Sequence, residues 1–377
     1  MFKNYRLRDF DFKLILMLIG LSVIGCLAIG SAEPSLQNKQ IAGLAAGVFL
    51  MVVVAFFDYT WILKFYWLMY FVNLILLLLV IAIGDEGGGA QRWLQIGSFR
   101  FQPSESAKIL LILFLAQFIM VNRKRLNTFK IISLSVILIL VPWSMIAAQP
   151  DLSTSIVVLA IFCVAMFAGG ISYKLIFSIL AVAVPAVVIV VYLAISPEPN
   201  FVNKTLMKGY QSTRIMAFFY PEEYADAEAY QQLNSVMAIG SGQLDGKGYK
   251  NNEITSVKNG NFISEPQTDF IFAVIGEEFG FKGSVTVIVL LFAIALECAS
   301  IARKAKDTAG TIIAAGMGGL VAFQGFFNIG VTTFLLPNTG LPLPFVSYGL
   351  TSLWSLYIGM GFVLNVRLQA KRERERV

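Results

Sequence analysis

Long apolar stretches alternate with short polar segments along almost the whole chain. Ten such stretches can be traced: Phe12–Ile29, Ile41–Phe57, Trp61–Ile83, Ser106–Met120, Ile131–Ala148, Ser153–Phe167, Ile171–Ile195, Phe270–Ile301, Thr311–Val331 and Thr351–Val366. Because roughly 20 mostly apolar residues span a bilayer as a helix, the pattern predicts an all-α integral membrane protein with about ten transmembrane helices. One long polar segment, about residues 196–268, falls between the seventh and eighth helices of a single polytopic domain, 1–377.

Composition supports this prediction and leaves no room for a separate soluble domain. The 377 residues are 57% hydrophobic, with a mean hydropathy of +0.73. The first apolar stretch follows three basic residues, so a signal peptide is an alternative. Its apolar core is longer than a usual signal core, and we expect it to be retained as a helix. All three cysteines, Cys26, Cys163 and Cys298, fall within predicted helices without metal-ligand spacing, as is typical of small buried residues.

Basic residues indicate the orientation in the membrane. They cluster at Lys3–Lys13, Arg123–Lys130, Arg303–Lys306 and Arg367–Arg376, and with ten spans all four clusters come to one face. The positive-inside rule makes that face cytoplasmic, with both termini inside and the long loop outside. The net charge of +6 is therefore a topology signal. Nucleic-acid binding is disfavoured, because the basic groups flank spans rather than form a folded basic domain.

Four polar segments are predicted to meet on the outer face. They are the glycine-rich loop Gly84–Ser104, the hairpin Gln149–Leu152, the long loop Ser196–Thr268 and the proline-rich loop Pro337–Gly349. Within the long loop, residue spacing predicts an interfacial helix over Tyr210–Tyr220 and a second helix over Ala227–Ile239. The glycines between Gly240 and Gly248 permit tight turns against a ligand or a neighbouring backbone.

Candidate chemistry concentrates where the long loop enters the eighth apolar stretch. The segment SEPQTDFIFAVIGEEFGF places Glu265, Gln267 and Asp269 just before the apolar run, and Glu277 with Glu278 inside it. A carboxylate at the edge of a hydrocarbon layer is costly to desolvate, so it usually has a function. Because the chain has no histidine, Asp, Glu, Lys or Tyr must supply any acid–base chemistry. The structural alternative for Asp269 is a helix N-cap.

Further charged side chains occur on the other outer segments. FQPSESAK puts Glu105 and Lys108 on one helix face, either as a buried pair that orients helices or as a cation held for an anionic ligand. QPDLSTS places Asp151 at a hairpin, where it either caps the next helix alone or also contributes to the site. Arg92 and Trp93 follow the glycine run; the arginine fork suits phosphate oxygens, and the tryptophan suits the membrane interface.

Together these groups suit a lipid-linked substrate whose headgroup lies at the membrane surface. Cations would stabilise a departing pyrophosphate, and a carboxylate would take a proton from an acceptor hydroxyl. The residues alone leave three classes of function open. They are an inverting glycosyltransferase, a lipid flippase or transporter whose charges line a path, and a scaffold that only holds a partner.

Four segments also resemble, in order, signature segments of the SEDS family (shape, elongation, division and sporulation): GAQRWLQIGSFRFQPSESAK, QPDLSTS, EPQTDFIFAVIGEEFGF and NTGLPLPFVSYGLTS. The resemblance covers essentially the whole chain. It implies a peptidoglycan glycosyltransferase that polymerises lipid II at the outer face of the bacterial cytoplasmic membrane, with a class B penicillin-binding protein as partner. It favours this enzyme over a lipid II flippase. The resemblance makes Asp269 the expected catalytic base and implies site roles for Arg92, Trp93, Glu105, Lys108 and Asp151. We add to the expected substrate-binding set Glu265, Gln267, Glu277 and Ser347.

The sequence departs from the family pattern at a few positions. Members often have histidine where Gln267 stands, and Ser153 and Leu350 replace the usual glycines. The segment DYTWILKFYW favours the elongation branch, while division and sporulation stay open. The sequence contains no evident cofactor motif and no dedicated metal site, and it leaves open a divalent cation, Mg²⁺ or Mn²⁺, that accompanies the pyrophosphate.

Overall fold

The computed structural model describes residues 10–87, 90–97, 99–149, 151–178, 209–225, 229–250 and 262–370, with a few single positions between 181 and 256. Its first helices are α1 (Phe12–Ala32), α2 (Pro34–Phe56), α3 (Tyr59–Ile62), a 3₁₀ turn (Leu63–Phe65) and α4 (Tyr66–Ile83). Three strands follow, β1 (Asp85–Gly87), β2 (Ala90–Ile96) and β3 (Phe99–Phe101). The remaining elements are α5 (Pro103–Asn122), a 3₁₀ turn (Arg123–Arg125), α6 (Phe129–Ala148), α7 (Leu152–Gly169), α8 (Gly209–Phe219), α9 (Tyr230–Ser241), α10 (Ile271–Lys304), α11 (Thr308–Thr332) and α12 (Leu350–Leu368).

Local sequence explains where several helices begin. Asp11 caps α1 by accepting a hydrogen bond from the Leu14 backbone nitrogen at 3.2 Å. Asp307 caps α11 in the same way. Proline stands in the first turn of α2 and of α5, at Pro34 and Pro103, where its missing N–H has no helical partner to lose. These residues favour a helix start at their positions because the first N–H groups of a helix have no partner within it: aspartate accepts a bond from one of them, and proline has none to satisfy.

The helix α5 lies at the centre of the bundle. Its span Pro103–Arg125 is 72% buried over its most apolar part, against 22% for the peripheral span Tyr59–Ile83. It packs against α4, α7 and α11, while α2 runs along α12 and α10 along α11. Apolar side chains such as Leu111 and Phe114 fill the space between these helices. A charged side chain on α5 is therefore enclosed by protein rather than by lipid.

The glycine-rich segment after α4, which was predicted as a loop over Gly84–Ser104, contains a small three-stranded sheet within the otherwise helical fold. β1 pairs with β2 and β2 with β3, both antiparallel, and Asp85 lies opposite Trp93. Gly97 follows β2 with a φ of +64°, an angle that suits glycine in a tight turn. The two residues Gly97-Ser98 between apolar strands were the available hairpin signal.

The helix α10 is kinked at Gly280, where φ is +62° and ψ is −157°. Backbone of the 242–248 segment fills the break, and the Lys247 nitrogen donates to the Glu277 carbonyl oxygen at 2.9 Å. A Cβ at Gly246 would lie 2.1 Å from a backbone oxygen of α10. The glycines of this segment therefore serve close packing against a neighbouring backbone, one of the two uses that the sequence predicted.

The helical prediction is confirmed for the described part of the chain. Nine of the ten apolar stretches coincide with described helices, and seven of these are long and apolar enough to cross a membrane. About half of the seventh stretch, Ile171–Ile195, lies outside the described residues. The helices predicted over Tyr210–Tyr220 and Ala227–Ile239 are present as α8 and α9. The protein is a multi-pass membrane protein.

The described basic clusters meet at one end of the bundle. Arg123–Arg125 and Lys306 line one pocket. Lys306 donates a hydrogen bond to Gln369, just after α12, and Arg367 Nε lies 3.9 Å from Asp11 Oδ2 at the start of α1. A common basic face is therefore present as predicted. Its cytoplasmic orientation stays a prediction.

Candidate active site

Asp269 lies in the turn between the long loop and α10. The N-cap residue of α10 is Phe270, whose side chain makes no capping hydrogen bond, so the N-cap alternative for Asp269 is wrong. The side-chain amide nitrogen of Asn328, on α11, donates to the carbonyl oxygens of Asp269 and Leu341, both at 2.7 Å. One buried amide thus joins the turn to the 337–349 loop. The Asp269 side chain is half-buried at this end of the bundle, which we call the Asp269 face.

The 337–349 loop closes over the Asp269 carboxylate. Gly340 has a φ of +73°, and a Cβ there would lie 3.2 Å from Asp269 Oδ2. Glycine permits both the backbone angle and the close approach. The Ser153 hydroxyl at the start of α7 donates to the Thr339 carbonyl oxygen. The loop is thus held from the α7 side directly above the carboxylate.

Ser347 and Gln267 join the same loop to the turn that carries Asp269. The Ser347 hydroxyl donates to the Thr268 carbonyl oxygen at 2.6 Å. The Tyr348 nitrogen donates to the Gln267 carbonyl oxygen at 2.9 Å. These contacts orient the backbone of the site, and a direct contact of Ser347 or Gln267 with substrate stays a prediction.

Two arginines place positive charge beside the carboxylate. Arg214 of α8 donates from Nη1 to the Asn338 carbonyl oxygen at 3.3 Å, and the same atom lies 3.9 Å from the Cβ position of Gly340. Arg92 is half-buried on β2 and acts electrostatically on Asp269. Sequence reasoning assigned Arg214 only to an interfacial helix. The signal for a functional role was a single arginine among the apolar residues of RIMAFF.

The pKa of the Asp269 carboxyl follows from this environment. Burial raises it from 3.8 to about 6, while the positive charges of Arg214 and Arg92 lower it and the negative charges of Glu265 and Asp151 raise it. A carboxyl group with this pKa exchanges a proton near neutral pH, where a general base works best. The fold thus brings three sequence-predicted site residues, Arg92, Glu265 and Asp151, together with Arg214, around the Asp269 carboxylate.

Asp151 caps α7, which confirms that part of the sequence interpretation. Its Oδ1 accepts from the Thr154 nitrogen at 3.1 Å, and its Oδ2 accepts from the Thr154 hydroxyl at 2.9 Å. The Ser104 hydroxyl also donates to Oδ2 at 3.4 Å, which ties α7 to the start of α5. The Asp151 charge reaches Asp269, and a direct contact with substrate stays a prediction.

Glu105 and Lys108 form a buried ion pair in α5. Lys108 Nζ lies 2.7 Å from Glu105 Oε1 and donates to Gln324 Oε1 at 3.2 Å. Gln324 Nε2 in turn donates to the Pro342 carbonyl oxygen at 3.0 Å. The two charged side chains are only 1% and 3% exposed. The pair therefore orients α5, α11 and the 337–349 loop, while anion binding by Lys108 stays a prediction that requires the loop to open.

Glu277 and Glu278 lie about two turns beyond Asp269, at the kink of α10. Lys247 Nζ is 2.9 Å from Glu277 Oε1. The Ser31 hydroxyl of α1 donates to Glu278 Oε1 at 2.5 Å. Both carboxylates are thus engaged in contacts that hold α10 to its neighbours. Substrate binding by Glu277 stays a prediction, as it does for Trp93, which is half-buried beside Arg92 on β2.

The site does not fit a dedicated metal centre. In the described ranges, no three His, Cys, Asp or Glu side chains gather in positions to hold a metal ion. Around Asp269, the positive charges of Arg214 and Arg92 are opposed by the negative charges of Glu265 and Asp151. Positive charge at this site comes from arginine side chains, whose fork geometry matches phosphate oxygens.

The arrangement supports proton abstraction next to a bound anion. The Asp269 carboxylate can accept a proton, and the positive charges of Arg214 and Arg92, which act on it electrostatically, would stabilise negative charge. These groups lie at the start of α10, which enters the apolar core. A substrate anchored in the membrane would present its polar headgroup at this depth.

Comparison with known proteins gives similarities along nearly the full length. A family model described as "Cell cycle protein", for FtsW, RodA and SpoVE, matches residues 10–372. The chain is 35% identical over 365 residues to the peptidoglycan glycosyltransferase MrdB of Escherichia coli K12, covering 96% of this chain and 94% of that protein. It matches a chain from a peptidoglycan synthase complex that coordinates polymerization and crosslinking, with a TM-score of 0.78, 27% identity and coverage of 95% and 97%. It also matches the crystal structure of the rod shape determining protein RodA of Thermus thermophilus, with a TM-score of 0.69, 26% identity and coverage of 97% and 98%.

Proposed function

The chain belongs to the FtsW, RodA and SpoVE family of cell cycle proteins, and we propose that it is a peptidoglycan glycosyltransferase that polymerises lipid II. One observation carries the proposal. The Asp269 carboxylate is half-buried, with a pKa of about 6, beside the positive charges of Arg214 and Arg92. The relative MrdB, which is named a peptidoglycan glycosyltransferase, is similar over the whole region that builds this site.

In the proposed reaction, Asp269 accepts the proton of the 4-hydroxyl of the acceptor sugar. The oxygen of that hydroxyl bonds to the anomeric carbon of the donor. The bond from this carbon to the lipid pyrophosphate breaks, and the pyrophosphate leaves with the electron pair. Attack opposite the leaving group inverts the anomeric centre. Arg214 and Arg92 stabilise the charge that develops on the leaving group.

Polymerisation of labelled lipid II by the purified full-length protein tests the proposal. We expect glycan polymer from the wild type and a loss of polymer from Asp269→Asn. A matched control is Asp245→Asn, the same substitution at an exposed aspartate of the long loop that pairs with Lys282. Equal polymer from both variants would refute Asp269 as the base.

A lipid II flippase is the second function class, and the same protein in vesicles distinguishes it. Buried charges such as the Glu105–Lys108 pair suit a translocation path as well as a catalytic site. Transfer of labelled lipid II across the vesicle membrane without polymer would replace the enzyme proposal. Neither transfer nor polymer would leave a scaffold role.

We further propose that the Asp269 face is extracytoplasmic and that both termini lie in the bacterial cytoplasm. The basic clusters at the opposite end support this orientation. A cysteine placed at Lys124 should react with an impermeant reagent only after cells are permeabilised. Labelling of Lys124→Cys in intact cells would contradict the orientation.

A class B penicillin-binding protein is the proposed partner. The support is the match to a chain from a peptidoglycan synthase complex that coordinates polymerization and crosslinking. We expect such a protein to copurify from native membrane and to raise the rate of polymerisation. The absence of both effects would argue against the partnership.

A divalent cation, Mg²⁺ or Mn²⁺, is proposed only as a companion of the pyrophosphate, because the described residues form no metal cluster. Polymerisation measured in a chelator, and again after either ion is added back, tests this. Full activity in the chelator would remove the ion from the proposal.

A further inference from the structure

A pocket at the end of the bundle opposite Asp269 gathers positive charge from two separate loops. It is lined by the 3₁₀ turn Arg123–Arg125, which follows α5, and by Lys306, Asp307 and Thr308, which join α10 to α11. Its volume is about 670 Å³. Because α10 begins beside Asp269 and ends at Lys304, this pocket and the candidate active site lie on opposite faces. The proposed glycosyl transfer makes no use of it.

The charge balance of the pocket favours an anion. Arg123, Lys124 and Arg125 are exposed to solvent. Lys306 lies on the opposite wall, where its ammonium is held 4.9 Å from the centre of the Tyr59 ring. Four basic residues thus share one concave surface. Fixed cations at a concavity raise the local concentration of anions more than the same charges on a flat surface.

Among the described residues that line the pocket, Asp307 supplies the negative charge, and its carboxylate is engaged in hydrogen bonds that cap α11. Its Oδ1 accepts from the Gly310 nitrogen at 2.8 Å and from the Tyr59 hydroxyl at 2.9 Å. These bonds direct the carboxylate to the start of α11 rather than to the three basic residues of the 3₁₀ turn. Within the described part of the chain, the positive charge of Arg123–Arg125 is therefore left to act on a ligand.

One wall of the pocket is apolar, which narrows the chemistry of the ligand. Met120 and Val121, at the end of α5, line it together with the basic turn. Val121 is 61% exposed and lies one residue before α5 ends at Asn122, where the basic turn follows. A free inorganic anion gains nothing from this wall. A lipid brings a phosphate and an acyl chain together.

We propose that the pocket binds an anionic phospholipid of the leaflet on that face. The phosphate diester lies against Arg123–Arg125 and Lys306, and the glycerol and acyl portion lies along Met120 and Val121. Basic pockets between transmembrane helices at a membrane surface have the geometry that such headgroups require. Arginine can also bind the phosphate through two parallel hydrogen bonds.

Native mass spectrometry of the delipidated full-length protein with phosphatidylglycerol tests the proposal. We expect the wild type to retain the lipid and Arg123→Gln/Arg125→Gln to bind it roughly 10- to 30-fold more weakly. The matched control is Arg303→Gln/Lys304→Gln, which removes two exposed basic residues from the same face outside the pocket. The control should bind as the wild type does. An equal loss of lipid binding in both variants would show that the basic residues act only as general surface charge, and it would contradict the proposed site.

A charge-conserving variant and a comparison of ligands test the proposal further. Arg123→Lys/Arg125→Lys keeps the net charge that orients the protein and removes the bidentate fork, so it should give an intermediate loss. Phosphatidylethanolamine, a lipid of zero net charge, should bind far more weakly than phosphatidylglycerol. If inorganic phosphate at equal concentration displaces phosphatidylglycerol, the pocket takes a free anion and the lipid assignment is wrong.

Discussion

Two buried ion pairs and the half-buried Asp269 carboxylate lie in the same half of the bundle, and they differ in how their charge is balanced. The Glu105–Lys108 and Glu277–Lys247 pairs bring opposite charges within 2.7 and 2.9 Å. Asp269 instead lies beneath the 337–349 loop, with arginines that act on it and a pKa that burial still raises to about 6. In the two ion pairs, each charge is neutralised by a partner at contact distance, and the pairs hold neighbouring segments together. A carboxylate whose burial outweighs its positive neighbours is ready to exchange a proton.

The largest effect should come from Asp269→Asn, which keeps the size of the side chain and removes the base. We expect polymerisation to fall by roughly 10²–10⁴-fold, measured as product formed from labelled lipid II. Lipid II should still bind, because the asparagine leaves Arg214 and Arg92 in place. An active Asp269→Asn enzyme would put Asp269 in the same structural class as the ion pairs.

The next effect should come from Lys108→Met. It leaves the Glu105 carboxylate buried without its partner, so we expect a loss of about 3–5 kcal/mol in stability, measured by unfolding of the detergent-solubilised protein. The double variant Lys108→Met/Glu105→Gln removes both charges and should recover most of that stability.

The activity of the same double variant separates the two interpretations of the pair. If the pair only orients helices, polymerisation should recover together with stability. If Lys108 also binds the pyrophosphate in an open conformation, the double variant should be stable and inactive. The second result would move Lys108 from the structural group into the catalytic site.

A smaller effect is expected from Arg214→Gln. Loss of a charge-assisted contact to the leaving group should lower polymerisation by roughly 10- to 100-fold. Because Arg214 lowers the pKa of Asp269, its removal should raise that pKa above about 6. The base must be deprotonated to work, so the fall in rate on the acid side should begin at a higher pH than in the wild type.

The control for this pH experiment is Arg100→Gln, which removes an exposed arginine from β3 on the same face. Its rate–pH profile should match that of the wild type. A profile for Arg214→Gln that does not move would show that Arg214 has no influence on the base.

The smallest effect should come from Lys247→Met. Lys247 is 20% exposed and Glu277 is 4% exposed, so solvent screens part of this pair. We expect a loss of about 1 kcal/mol in stability and little change in the pH dependence of polymerisation. A shifted pH profile would show that Glu277 is coupled to the base, contrary to its placement at the kink.

Local sequence determined the helices and several of their ends. Apolar runs long enough to span a bilayer fix the helices whatever their neighbours are, because every backbone polar group must be satisfied within the segment. Asp151 could be identified as a helix cap from the sequence because a cap is a local contact: its partner Thr154 lies three residues away. The position of Asp269 at the edge of an apolar run was also visible, because hydropathy changes abruptly at Phe270.

Tertiary structure alone decided which charges act on Asp269. Arg92, Arg214 and Asp269 lie in three distant parts of the sequence, and their convergence depends on a sheet that the sequence reasoning missed and on a helix in the long loop. The enclosure of Lys108 depends in the same way on α11 and the 337–349 loop. Hydropathy is a property of neighbouring residues along the chain. Burial and electrostatic interaction depend on separations through space, so the pKa of Asp269 and the burial of the Glu105–Lys108 pair are set only when the bundle packs.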